Sequence, residues 1–169
     1  MIKDGPLEPL DFDGFSVYES CLGKMTKGPF NAKGWRAQEL LELVHTDVCG
    51  PMSTQTKGGY QYFITFTDDY SRYDYVYLIR RKFKAFERFK EFRAEVENQL
   101  GKRIKAIRSN RGGKYLLGDF KYYLTQNGIV SLLTTPRTPQ QNGVAKRRNK
   151  TLLEMVRSMM SYSTLPISF

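Results

Sequence analysis

The feature that most constrains the fold is a change of period at Lys82. Before it, three runs (residues 42–48, 60–67 and 73–79) alternate in polarity or are dense in aromatic and β-branched side chains. A period of two sends successive side chains to opposite faces, so each run reads as a strand. Gly58 with Gly59, and the polar stretch from Asp68 to Ser71, are turn signals between them. Three strands in that order form an antiparallel meander. From residue 82 to residue 100, Phe83, Phe86, Phe89, Val96 and Leu100 recur mostly three and four apart, with Phe92 and Ala94 filling the gap. That spacing predicts an amphipathic helix of about five turns. Gly101 stands where a helix C-terminus favours glycine.

The remainder predicts a short strand at 104–107, a glycine loop at Gly112 and Gly113, and a short helix at 119–126 ending near Asn127 and Gly128. A strand at 129–133, a proline-containing loop at 134–142 and a long helix at 144–162 follow. Leu152, Leu153, Met155, Val156, Met159 and Met160 give that last helix one broad apolar side. A strand reached through a helical crossover pairs in parallel. The expected fold is therefore α/β: a five-stranded mixed sheet, three antiparallel strands first, flanked by helices. Residues 1–39 show no sustained period and read as a separate, irregular segment; residues 40–169 read as one domain. There is no basic, then apolar, leader at the start and no run long enough to span a membrane, so an intracellular chain is expected. Cys21 and Cys49 lie far apart and read as free thiols, and the single histidine, His45, reads as a packed strand residue.

Charge is distributed unevenly. The net charge is +10, yet residues 102–150 hold twelve Lys or Arg against one acid, Asp119, while the rest is close to balanced. A basic half of this kind suits a polyanion, nucleic acid above all.

Functional groups in mixed sheets collect at strand ends and helix starts. By that rule Asp47, ending the first strand, Asn110, ending the fourth, and Lys146, one turn into the last helix, can meet, with Arg111 and Lys114 adjacent. Three acids there would hold divalent cations for work on phosphodiesters. One acid, one amide and one ammonium would not. Asp68 and Asp69 belong to the far end of the antiparallel partner and are expected to form a turn rather than join Asp47. Glu154, two turns beyond Lys146, is expected to be a poor replacement.

Four stretches, HTDVCGPM, TFTDDYSRY, IRSNRGGKY and TPQQNGVAKRRNKTLL, resemble in order and without gaps the integrase catalytic core of copia-type retrotransposons, relatives of retroviral integrases. The resemblance covers residues 40–169 and implies an RNase H-like fold. It implies DNA strand transfer by a metal site, with Mg or Mn held by two Asp and one Glu. The first Asp matches Asp47. The second falls on Asn110 and the Glu on Lys146, and the thirty-five residues between them keep the family spacing. Lys114 stands where the family has Glu, and Arg137 where it has Gly. The family's preceding zinc unit survives only as Tyr18 and Cys21 on its CxxC positions, so Cys21 is a lone remnant and no zinc is expected. Asp to Asn, Glu to Lys, Cys to Tyr and Gly to Arg each follow from one G-to-A change in a codon, which suggests a decayed copy with little or no catalysis.

No cofactor is expected in this chain, and a Lys146–Asp47 salt bridge is expected where metal would sit. Restoring acids at 110, 114 and 146 would lower the net charge by five, to +5, so about half the basicity follows from those substitutions. DNA remains the expected partner, through phosphate contacts at Arg111, Lys114, Gln141, Asn142, Arg147, Arg148 and Lys150. The resemblance also implies a homodimer and a nuclear location. The run from Lys146 to Lys150 reads as a helix face once turned to DNA rather than as an import signal.

Overall fold

A computed structural model of the chain describes residues 36–52, 56, 58–110, 118–135 and 139–163. All of them belong to one compact unit, Arg36–Phe169. Cys21 and Tyr18, the glycine loop with Arg111 and Lys114, and Arg137 lie outside the described residues.

Five strands form one sheet: β1 (Val44–Cys49), β2 (Tyr62–Asp68), β3 (Asp74–Ile79), β4 (Ala106–Ser109) and β5 (Val130–Leu133). Their spatial order is β3-β2-β1-β4-β5. β1 pairs antiparallel with β2, and β2 with β3; β1 pairs parallel with β4, and β4 with β5. This is the expected mixed sheet with its antiparallel strands first. The helices are α1 (Ala85–Leu100), α2 (Asp119–Gln126) and α3 (Gly143–Tyr162), with 3-10 turns at Lys82–Lys84 and Pro139–Asn142.

The pleat of β1 and β2 separates two environments. Val44, Ile64 and Phe66 face an apolar core closed by Phe89, Phe92 and Val96 of α1 and Phe120 and Leu124 of α2. Phe66 stacks flat on Phe92, ring centres 4.4 Å apart, while Phe89 meets Phe120 edge to face at 4.9 Å. The alternate residues His45, Asp47 and Thr65 point to the other face, where they meet α3.

The buried stripe of α1 is Ala85, Phe89, Phe92 and Val96. Phe83 and Leu100, expected on that stripe, are exposed. Phe83 lies in the 3-10 turn, before the α-helical phase begins. Gly101 ends α1 in the left-handed region (φ 61°), its N–H bonded to the Glu97 carbonyl. β4 begins two residues later than expected because the Ile104 N–H goes to the Glu97 carboxylate and the Lys105 N–H to the Leu41 carbonyl. β1 and β2 are joined by a longer connection than a tight turn. At Gly50 (φ 123°) a Cβ would come 2.6 Å from the Gln61 carbonyl oxygen, so only glycine lets β1 leave the sheet there.

Asp68 and Asp69 form the turn after β2, as expected, and also anchor the segment preceding β1. Asp68 accepts the Leu41 and Ser71 N–H groups. Asp69 accepts the Ala37 N–H at 2.8 Å, the His45 Nε2 contact at 2.9 Å and an Arg72 ion pair. Burial pushes the Asp69 carboxyl up, but the Ala37 amide, the His45 ring and the Arg72 guanidinium together hold it below its usual range. Burial pulls the His45 imidazole below its usual range, against the hydrogen bond and charge of Asp69.

Both shifts make acid destabilising. A base depressed by burial contributes stability above its unfolded value of about 6.5, and that contribution falls away as the unfolded chain takes up protons below it. A depressed carboxyl contributes above about 4 and is lost as pH falls through its folded value. Urea midpoints are expected to drop on acidification in two stages, first below about pH 6.5 and again below about pH 4. In His45→Gln the first stage should vanish; a midpoint that still falls between pH 6.5 and 5 in that variant would contradict this account.

Candidate functional site

The end of β1 delivers Asp47, the parallel neighbour β4 delivers Asn110 one residue past its own end, and the first turns of α3 bring Lys146 and Asn149 across the sheet face. The Asn110 Nδ2 donates to Asp47 Oδ1 at 3.0 Å. The Asn149 Nδ2 donates to Oδ2 at 3.3 Å. The Val48 N–H also donates to Oδ1, at 3.1 Å. Both carboxylate oxygens are thus occupied by amide donors.

The expected juxtaposition of positions 47, 110 and 146 is present, but the expected ion pair is not. Lys146 is solvent-exposed and forms no salt bridge with Asp47 among the described residues; its charge acts on the carboxylate from a distance. Two short amides reach the acid more closely than a long ammonium that gains more by remaining hydrated. Burial pushes the Asp47 carboxyl above its usual range, opposed by the Asn110 bond, the Lys146 charge, the Val48 N–H and the Asn149 bond. The neighbouring Cys49 thiol is free and is pushed up by burial and by Asp47, which disfavours the reactive thiolate.

The polar network extends along the seam beneath α3. The Thr65 hydroxyl donates to Asn149 Oδ1 at 2.9 Å, and the Thr134 hydroxyl to Asn110 Oδ1 at 3.4 Å. Asn142 is fully buried: its Nδ2 donates to the Thr46 carbonyl at 3.1 Å, and its Oδ1 lies 3.4 Å from His45 Nδ1. Asn142 was expected to face nucleic acid; its position at the start of α3 over the pleat of β1 instead turns it inward. Asn149 was not expected to contribute at all. Its signal was its spacing from Asn142 and Ala145, three residues on one helical face that are all small or amide-bearing.

The other expected contact residues lie outside this network. Gln141 is exposed and its side-chain carbonyl accepts the Thr135 N–H at 3.1 Å, closing the loop before α3. Arg147 is exposed. Arg148 is ion-paired to Asp74 of β3, and Lys150 to Glu154 at 3.6 Å. Asp47, Lys146, Asn149, Lys150, Glu154 and Arg157 line one open cavity of about 310 Å³. Glu154, expected to be a poor replacement for an acid at 146, borders the same cavity and is engaged by Lys150.

Three or more metal-ligating side chains nowhere cluster among the described residues. The undescribed stretches after residue 35 contain no Asp, Glu, His or Cys. With Asp47 satisfied by amides, Glu154 paired with Lys150 and the Lys146 ammonium on the same cavity, the donor set does not fit a pair of divalent cations.

No protein-family model matches the chain. It is 44% identical over 150 residues, 88% of its length, to the "Retrovirus-related Pol polyprotein from transposon TNT 1-94" of Nicotiana tabacum, of which it spans 11%. Among solved structures it is similar to a chain of a simian T-cell lymphotropic virus intasome in complex with the PP2A regulatory subunit B56 gamma. That likeness has a TM-score of 0.59 and 20% identity, covering 79% of this chain and 46% of that one. The chain is thus similar over most of its length to one segment of a transposon's retrovirus-related Pol polyprotein, and its fold is similar to that of a chain in a retroviral intasome.

Because burial raises the Asp47 carboxyl, its charge costs stability wherever it stays ionised in the folded state. Asp47→Asn is expected to stabilise the fold at pH 7 by on the order of 1 kcal/mol, with a flip of the Asn149 amide keeping the contact satisfied. The gain should shrink as pH falls through the raised folded value, and vanish below about 3.9, where the carboxyl is protonated in both states. Urea denaturation of the two proteins at pH 7 and pH 4 measures this; a destabilised variant at pH 7 would contradict it.

Proposed function

We propose that this chain is an integrase core of a retrotransposon Pol polyprotein that retains affinity for DNA but has lost metal-dependent strand transfer. The kinship to a transposon Pol polyprotein and the fold of an intasome chain support an integrase-like role. The observation that carries the loss is the satisfied Asp47: its oxygens accept Asn110, Asn149 and Val48 donors, and Lys146 opposes cations at the same cavity. A divalent cation would have to displace two amides from Asp47, and the other acid on the cavity, Glu154, is paired with Lys150. The copia-type assignment, the RNase H-like ancestry and the decay by G-to-A substitution belong to this reading. So do the absence of a working metal or zinc site and a nuclear place of action.

DNA affinity in this reading comes from phosphate contacts. Lys146, Lys150 and Arg157 surround the cavity next to Asp47, and Arg147 lies on the exposed side of the same helix. Arg111 and Lys114 would add to them. Binding of this kind weakens steeply with salt and discriminates little between sequences.

The test compares this chain with Asn110→Asp/Lys114→Glu/Lys146→Glu in a strand-transfer assay with Mg²⁺ or Mn²⁺, alongside calorimetric titration of each metal. The original chain is expected to show neither turnover nor metal binding at Asp47. The triple variant is expected to gain metal binding, with the Asp47→Ala version of it as the control. Strand transfer by the original chain, or metal binding abolished by Asp47→Ala in it, would overturn the proposal.

A second reading, a protein-interaction or dimerisation module, rests on a specific feature. Met155, Val156 and Met159, half of the broad apolar side read from the sequence, are exposed on α3, and so is Tyr162. Sedimentation of Met159→Glu against the parent chain tests it: self-association lost in the variant supports the module, and a monomeric parent removes it.

A further inference from the structure

A second basic feature stands apart from the Asp47 cavity. Arg80, Arg81, Lys84 and Arg88 line a cavity of about 360 Å³ at the junction of β3 and α1, together with Tyr60, Ile79, Phe83 and Glu87. Four of its eight lining residues are cationic and one is acidic, so its field is positive. Lys84 is ion-paired to Glu87, and Arg88 to Glu91. Arg80 and Arg81 are exposed and have no carboxylate partner among the described residues. Arg80 instead lies over the Tyr60 ring, 5.5 Å from its centre, and Lys82 over the Tyr62 ring at the same distance. Such stacking holds a guanidinium in place while leaving its N–H donors free for an oxyanion. Phe83, 59% exposed, stands at the rim, with the Lys84 ammonium over its ring 5.7 Å from the centre.

The position follows from the register. Cys49 pairs with Phe63, which pairs with Leu78. The far ends of β1 and β3 therefore lie at the same end of the sheet, two strands and about 10 Å apart. A chain of phosphates lying along that end past Lys146, Lys150 and Arg157 would reach Arg80 and Arg81 within a few nucleotides.

We infer that the β3–α1 junction is a second nucleic-acid contact, in which Arg80 and Arg81 take backbone phosphates and Phe83 stacks an unpaired base. This rests on the proposal above that the chain binds DNA, and it adds where the strand runs and what form it takes. Guanidinium forks suit phosphate oxygens, and an exposed ring beside them suits a base freed from its duplex. An acidic peptide would satisfy the arginines but leave Phe83 without a role.

The experiment measures DNA affinity of the full chain against salt concentration, using a blunt duplex and the same duplex with a single-stranded overhang. The parent is expected to prefer the overhang by about fivefold or more. Phe83→Ala should abolish that preference, leaving blunt-duplex affinity nearly unchanged. Arg80→Ala/Arg81→Ala should flatten the dependence of log affinity on log salt by roughly one to two, and Arg80→Lys/Arg81→Lys should restore most of it. All three positions are exposed, and thermal melts check that each variant folds. If the parent binds DNA and these variants leave slope and preference unchanged, the second contact is wrong while the proposed function stands. If the parent binds neither probe, the proposed function fails and takes this inference with it. Displacement of DNA from this patch by polyglutamate at equal charge, with no overhang preference, would assign the patch to an acidic peptide and overturn the inference.

Discussion

The hydrogen-bonded seam between β1, β2 and α3 sets the geometry on which everything at the end of β1 depends. The opposite face of the sheet is held by aromatic and aliphatic packing, which tolerates small adjustments. The α3 face is different: of the residues α3 buries, one is Ala145 and the other is Asn149. The helix is fixed instead through Asn142 to the Thr46 carbonyl, Asn149 to Thr65 and Asp47, and Arg148 to Asp74. Hydrogen bonds constrain direction as well as distance, so this seam fixes the rotation of α3 about its axis. It thereby decides that Lys146 looks into the cavity while Arg147 looks away.

The same polar face links distant parts of the chain. The Ala37 amide bonds Asp69, Asp69 bonds His45, His45 contacts Asn142, and Asn142 bonds the backbone of β1. The segment before β1, the turn after β2 and the start of α3 are joined through one buried imidazole. A buried polar chain of this kind is costly wherever a member loses its partner. This gives the single histidine a structural role, and both His45 and Asp69 are held below their usual ranges within it.

Strand and helix existence was legible because period and turn chemistry agreed along most of the chain. The mixed sheet followed from one helical crossover. What the sequence concealed was phase and partnership. Phe83 and Phe89 look equivalent in a pattern, but one precedes the α-helical turn and remains in solvent. On α3 the apolar residues from Leu152 onward suggested the buried side, yet the helix buries Ala145 and Asn149 and leaves Met155 and Met159 exposed. A periodic pattern identifies a stripe but not what it faces. Asn142 and Asn149 were hidden for the complementary reason: an amide that is buried and bonded is indistinguishable in sequence from one bathed in water. The positions 47, 110 and 146 were legible from strand ends, whereas the competition of Asn110, Asn149 and Lys146 for one carboxylate required their actual distances.

That competition bears on how a site with one carboxylate among amides behaves. A lone carboxylate at a part-buried strand end is disfavoured by burial, and this fold answers with donors already placed for other purposes. Asn149 is held by Thr65 whether or not it touches Asp47, and Asn110 by Thr134. The donors therefore cost little ordering of their own, and the ammonium of Lys146 is left in water, where its hydration is retained. Reinstating an acid at 110 alone would place two carboxylates together with one donor removed, raising the Asp47 carboxyl further unless a cation entered. An acid at 146 alone would remove the nearby positive charge while leaving both amides bonded to Asp47. With acids at 110 and 146 together, three carboxylates would face the cavity and only the Asn149 amide would compete with a divalent ion for Asp47.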